Sequence, residues 1–203
     1  MELGWHKLTK LDGVPERVRR ATREEKLAER LVLLARLPQN STGAEVGVWR
    51  GTFSREILRI VRPRRLYLVD PWMFQSEFPG RLYGGVAARD QRDMDAIFHV
   101  VESAFAGNPA VVVRRSTAED FFRSQPAATL DWAYIDGDHG YEGVSVDLDG
   151  AFHAVRPGGW IVGDDLGWVD ETGSRSVHRG VFDFCERRHL ACEVQGDQFF
   201  IQR

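Results

Sequence analysis

The stretch Glu45-Val46-Gly47-Val48-Trp49-Arg50-Gly51-Thr52-Phe53-Ser54 passes from an apolar run into a helical pattern through two glycines four residues apart. Residues 44–48 read as a strand and residues 54–61 as a helix, so Gly47 and Gly51 mark a strand-to-helix turn. A turn without Cβ atoms lets the backbone approach a ligand closely, and the helix start offers free N–H groups to an anionic group. Glycine pairs also serve turn geometry alone. The added signal is Asp70, nineteen residues past Gly51, where a second apolar run (66–69) ends. An acidic side chain there can accept both hydroxyls of a ribose, and this nucleoside reading outweighs that of a turn aspartate before Pro71.

Working outward, residues 111–113, 132–135 and 160–162 are further short apolar runs. Between the last two, Val144, Leu148, Phe152 and Val155 keep helical spacing. Strands alternating with helices imply parallel pairing through right-handed crossovers. The chain closes differently. A helix over 177–188 leads to two runs, 191–194 and 198–201, joined by Gln195-Gly196-Asp197, and so short a turn requires antiparallel pairing. The expected fold is α/β: a Rossmann-like doubly wound sheet, mostly parallel, with a C-terminal antiparallel hairpin. Residues 1–40 read as an N-terminal helical extension, with a Thr22–Glu25 capping box and Leu27, Leu31 and Leu34 on one face, stopped by Pro38. Arg17, Arg19, Arg20 and Arg23 read as a solvated face. Residues 41–203 form the cofactor-binding domain.

Composition narrows the function. The 203 residues carry 27 basic and 30 acidic groups, a net charge of -3, with 43% hydrophobic residues. That is ordinary globular usage, with no basic footprint for nucleic acid. Two cysteines, Cys185 and Cys192, are too few for a disulfide framework or a four-cysteine zinc site. No apolar run is long enough for a bilayer span, and the N-terminus lacks the order of a signal peptide, so a soluble, cytoplasmic protein with no membrane partner is expected.

Chemistry concentrates after the fourth and fifth runs, in Ile135-Asp136-Gly137-Asp138-His139 and Gly163-Asp164-Asp165. Neighbouring strands of a doubly wound sheet place such residues in one crevice beyond their carboxyl ends. Three unpaired carboxylates there repel one another, and a divalent cation removes the conflict. Oxygen ligation suits Mg²⁺, Mn²⁺ or Ca²⁺, with Asp136, Asp164 and Asp165 as the expected ligands. The competing reading has Asp164 and Asp165 capping the next segment. His139, beside this cluster, has the pKa range of a general base. Two irregular connections, 72–85 and 165–176, read as lids. Their aromatics Trp72, Phe74, Phe78, Tyr83 and Trp168 either stack on a substrate ring or provide hydrophobic cover.

Taken together, Glu45 to Ser54, Val69-Asp70-Pro71-Trp72, Ile135 to Tyr141 and Pro157 to Asp165 resemble a class I S-adenosylmethionine-dependent methyltransferase. Within that class the likeness is to the small metal-dependent O-methyltransferases of the macrocin type, which act on sugars. The resemblance implies that Glu45, Gly47, Gly51 and Ser54 lie along the methionine and ribose of S-adenosylmethionine, with Asp70 on the ribose hydroxyls and Asp136 close by. It implies Ser116 and Thr117 near the adenine, although Arg114-Arg115-Ser116 stands where relatives often carry an acid. It also matches Asp136, Asp164 and Asp165 to metal ligands, with Mg²⁺ the expected ion, and His139 to the base. Catechol-type relatives carry lysine and asparagine at the positions of His139 and Asp165, so histidine and a second acid point to the sugar branch.

The implied reaction is methyl transfer to a hydroxyl of a small molecule, a sugar or sugar-bearing natural product. Catechol and phenol acceptors are the first alternative. A nicotinamide-dinucleotide oxidoreductase is a second, though the turn lacks the third glycine and hydride transfer has no use for the acids. A non-catalytic cofactor-binding protein is the third. A homo-oligomer through the N-terminal helix or the aromatic loop is compatible with the pattern.

Overall fold

A computed structural model describes residues 6–8 and 23–203 of the chain. Its central strands are apolar runs buried on both faces, as a sheet covered on two sides requires. In chain order they are β1 (His6–Leu8), β2 (Thr42–Val46), β3 (Arg65–Asp70), β4 (Val111–Arg115), β5 (Leu130–Ile135), β6 (Val155–Gly163), β7 (Cys192–Gln195) and β8 (Gln198–Gln202). They form one sheet in the order β1-β7-β8-β6-β5-β2-β3-β4. Pairing is parallel from β4 through β3, β2 and β5 to β6, and antiparallel from β6 through β8 and β7 to β1.

Among the described residues, six α-helices flank the sheet: α1 (Arg23–Arg36), α2 (Thr52–Ile60), α3 (Gln91–Phe105), α4 (Ala118–Ser124), α5 (Tyr141–Ala154) and α6 (Ser176–Arg188). Alternation along β5 divides the core. Ala133 and Ile135 face Val144, Leu148, Val181 and Phe184 of α5 and α6, whereas Trp132 and Tyr134 belong to the cluster with Leu33, Leu34, Ile57 and Phe105 of α1, α2 and α3. The fold is therefore the expected α/β architecture, and no described helix is long and apolar enough to cross a membrane.

The N-terminal region differs from its helical reading. His6–Leu8 adds an antiparallel strand against β7, pairing His6 with Val194 and Leu8 with Cys192. The buried residues of α1 are Leu33 and Leu34, with Leu37 just past its end, while Leu27, expected inside, is 46% exposed. The Thr22–Glu25 capping pair and the side chains of Arg17, Arg19, Arg20 and Arg23 lie outside the described residues. At the other end of the chain, the Gln195-Gly196-Asp197 turn joins antiparallel β7 and β8 as its length requires.

Chain direction across the sheet reverses between β2 and β5: the path from β2 runs outward through β3 to β4, then returns to β5 and continues to β6. A crevice forms at such a switch point because the connections leave in opposite directions. Register places the site. Val46 pairs with Val69 and Ile135, and Ile135 pairs with Gly163, so Asp70, Asp136 and Asp164 all emerge at the same edge of the sheet.

Candidate active site

The glycine turn is built by packing. Gly47 has φ +88°, and a Cβ there would stand 1.8 Å from the carbonyl oxygen of Asp136. A Cβ on Gly51 would stand 2.8 Å from the Phe105 ring. Both glycines are thus demanded by packing as well: they clear the chain's own β5 end and α3. Just before the turn, Glu45 is buried, and burial pushes its carboxyl up to about 8, with Ser54 pulling the other way. Glu45 Oε2 and Ser54 Oγ are both buried, and neither has a hydrogen-bond partner beyond the other.

Asp70 anchors the two connections beside it. Its carboxylate accepts from Trp49 N at 2.9 Å, Trp72 N at 2.7 Å and the Tyr83 hydroxyl at 2.6 Å. Burial raises its pKa while these donors oppose the rise. Trp49 (φ 54°) and Trp72 (φ 40°) adopt left-handed backbone here, as does Asp165 (φ 66°) at the neighbouring strand end. Such conformations are costly for non-glycine residues and gather at sites where the surroundings over-determine them. Ser116 and Thr117 follow β4. Ser116 N donates to the Asp70 carbonyl at 3.1 Å, and the Thr117 hydroxyl caps α4 by accepting from Asp120 N.

The acid cluster is assembled as the strand ends require, but it is not a set of bare carboxylates. Arg30 of α1 donates to Asp164 through Nε and Nη2 and lies 3.0 Å from Asp136 Oδ2. Gln198 Nε2 donates to the other oxygen of Asp164. Lys26 Nζ lies 3.0 Å from Asp165 Oδ1 and 2.8 Å from Asp197 Oδ2. The repulsion from which a metal is inferred is therefore largely offset by side chains. Asp164, expected as a ligand, has its side chain closed to solvent and both oxygens engaged.

The remaining contact is more specific. His139 Nε2 is buried and stands 3.0 Å from Asp165 Oδ2 and 3.9 Å from Asp136 Oδ1. Asp136, His139 and Asp165 each offer one ligand atom within 4.8 Å of the others; Asp164, Asp165 and Asp197 form a second such group. Burial alone would lower the His139 pKa, but Asp136 and Asp165 outweigh it and raise it to about 10. Burial opposes ionisation of Asp165 too, yet His139 and Lys26 hold it well below the usual carboxylate range.

Trp168 covers the imidazole, with ring centroids 5.3 Å apart and planes 25° from parallel. The Arg81 guanidinium bridges the two long connections, 4.3 Å from the Phe78 ring and 5.5 Å from Trp168. Trp72 is core rather than lid: it is fully buried and donates Nε1 to the Trp49 carbonyl at 2.8 Å. Lys26, Arg30 and Gln198 escaped the sequence reading, and Tyr83, read there as a lid aromatic, donates its hydroxyl to Asp70. For the first two a signal existed, since Lys26, Arg30, Leu33 or Leu34, and Leu37 form one helical stripe whose apolar part ends in two cations.

A doubly wound sheet with a glycine turn after its first central strand, an acid ending the next and an acid–histidine cluster beyond β5 and β6 defines a nucleoside-cofactor enzyme of the class I methyltransferase architecture. The chain belongs to the family described as "Methyltransferase domain", whose profile matches residues 44–166. It is a methyltransferase, and S-adenosylmethionine is its cofactor; the nicotinamide reading falls.

No curated protein matches the chain by sequence. Among solved structures, the O-methyltransferase NovP is 19% identical with a TM-score of 0.59, covering 88% of this chain and 79% of its own. A protein from Corynebacterium glutamicum is also 19% identical, with a TM-score of 0.57 and coverage of 90% and 82%. The N-methyltransferase NodS from Bradyrhizobium japonicum is 14% identical, with a TM-score of 0.54 and coverage of 86% and 93%. These likenesses establish a shared fold.

Proposed function

We propose that the chain transfers the methyl group of S-adenosylmethionine to a hydroxyl oxygen of a small molecule, a sugar or sugar-bearing natural product, with help from Mg²⁺. The observation that carries this reading is the His139 Nε2 atom, buried at the strand ends 3.0 Å from Asp165 Oδ2 and 3.9 Å from Asp136 Oδ1. A nitrogen there can take a proton from an acceptor hydroxyl lying between the strand ends.

The residues fit both groups. Glu45 Oε2 and Ser54 Oγ, buried with no partner beyond each other, would receive the ammonium of the methionine moiety. Asp136 Oδ1 and Asp165 Oδ2 are hard oxygen donors that would hold Mg²⁺. The ion would supply Lewis acidity toward the acceptor hydroxyl. His139 Nε2 would be the atom that takes the hydroxyl proton, with Asp136 and Asp165 orienting the imidazole. Trp168 and the Arg81 bridge exclude water from above.

Calorimetric titration with S-adenosylhomocysteine and, in parallel, NADH tests the cofactor; micromolar binding of the first and none of the second is expected. Turnover on vicinal sugar diols should be lost in EDTA and restored by Mg²⁺. Folded protein that ignores S-adenosylhomocysteine, or equal turnover in EDTA, would remove the corresponding half of the proposal. Preference for a catechol would shift the acceptor class.

Tyr83→Phe probes the ribose role of Asp70. The tyrosine hydroxyl takes a lone pair of Oδ2 that a ribose hydroxyl would need. Its removal should tighten S-adenosylhomocysteine binding roughly threefold to tenfold, the worth of one hydrogen bond. Weaker binding would make Tyr83 a support for Asp70 instead of its competitor.

A further inference from the structure

Helix α1 lies outside the segment matched by the family, yet it supplies both cations of the acid cluster. The two are held differently. The Arg30 fork is clamped between Asp136 and Asp164, with 21% of its side chain exposed and its guanidinium 5.1 Å from the Phe53 ring. Lys26 is a point charge on a flexible stem, 33% exposed, bridging Asp165 and Asp197. Its ammonium pairs with two members of the Asp164–Asp165–Asp197 group, whose oxygens lie within 4.8 Å of one another. The adjoining group of Asp136, His139 and Asp165 shares one carboxylate with it, Asp165.

We propose that Lys26 is a resident cation that competes with the divalent ion for Asp165, and that loading of the ion displaces it toward Asp197 and loosens the start of α1. The proposal rests on the divalent-ion reading given above. Like charges on two oxygens of one partly buried carboxylate repel strongly, because little water intervenes to screen them. Displacement is local by construction. The packed residues of α1 begin with Arg30 and Leu31, and Leu27 beside Lys26 is exposed, so the first turn can shift while the remainder stays packed. Asp197 keeps a partner for the released ammonium, and its backbone N–H already meets Glu29 of the same helix at 3.3 Å. Site loading would thereby reach a segment of the chain that precedes the catalytic domain.

The test uses Mn²⁺ as the probe, titrated into the full chain and followed by electron paramagnetic resonance. Lys26→Met is expected to tighten Mn²⁺ at least tenfold relative to wild type. Amide exchange in residues 24–30 of the wild type is expected to quicken when Mn²⁺ is added, a readout that needs no variant. Equal or weaker Mn²⁺ affinity in Lys26→Met overturns the competition while leaving the divalent-ion reading in place. Unchanged exchange in the wild type on saturation overturns the displacement. Absence of Mn²⁺ binding to both wild type and variant at millimolar concentration overturns both ideas.

Discussion

Replacing His139 by alanine is expected to lower turnover about a thousandfold while S-adenosylhomocysteine affinity stays within twofold, since a positioned general base typically contributes two to four powers of ten. The separation follows from placement. His139 contacts Asp136, Asp165 and Trp168 beyond β5 and β6, whereas Glu45 and Ser54 lie at the end of β2 and in α2. Single-turnover rates with saturating cofactor, set against calorimetric affinity, measure the two effects apart. Unchanged turnover would assign the proton to another acceptor.

The same variant carries a stability signature in the ligand-free protein. The His139 pKa is raised from 6.5 to about 10 in the fold, so its ion pairing stabilises fully below pH 6.5 and is lost as pH rises toward 10. Wild type should therefore exceed His139→Ala in Tm by most near pH 6, with the gap closing at alkaline pH. A gap that widens with pH would contradict the carboxylate environment described for the imidazole.

Gly47→Ala should be the most damaging single-methyl change in the chain. Two costs combine at that position: a left-handed backbone at φ +88°, and a methyl placed 1.8 Å from the Asp136 carbonyl oxygen and 2.4 Å from its carbon. The obstacle is backbone, and it is held in place. Gly47 N donates to the Val69 carbonyl at 3.0 Å, and Asp136 N to the Val46 carbonyl at 2.9 Å, so relief would unzip the ends of two strand pairs. A loss of roughly 4 kcal/mol or more is expected from strain and overpacking together.

Gly173 separates the two contributions. Its φ is +82°, but a Cβ there meets nothing within 4 Å, so Gly173→Ala should cost only about 1 kcal/mol. Urea midpoints of the two variants give the comparison. Equal losses would mean that backbone conformation alone, and not the approach of β5, demands glycine at position 47.

Much of the fold was legible because its signals are local. Strands buried on two faces read as short apolar runs, the α5 pattern keeps its period, and a turn as short as Gln195-Gly196-Asp197 admits only a hairpin. Strand ends shifted for equally local reasons: β2 stops at Val46 because Gly47 turns to positive φ, although Val48 continues the apolar run. The clustering of Asp136, Asp164, Asp165 and His139 followed from one further rule, that adjacent parallel strands present their carboxyl ends together.

The sequence by itself determined the sheet, its direction of winding and the edge at which chemistry collects, because periodicity and turn length act over a few residues. Only the tertiary structure decided how the charges there are balanced. Lys26 meets Asp165 across 139 positions and Arg30 meets Asp164 across 134, distances over which sequence pattern carries no pairing information. It decided likewise that Tyr83 rests on Asp70 and that Trp72 belongs to the core and Trp168 to the site. A side chain's charge and size are written at its own position, but its partner is fixed by the packing of elements that meet only when the chain is folded.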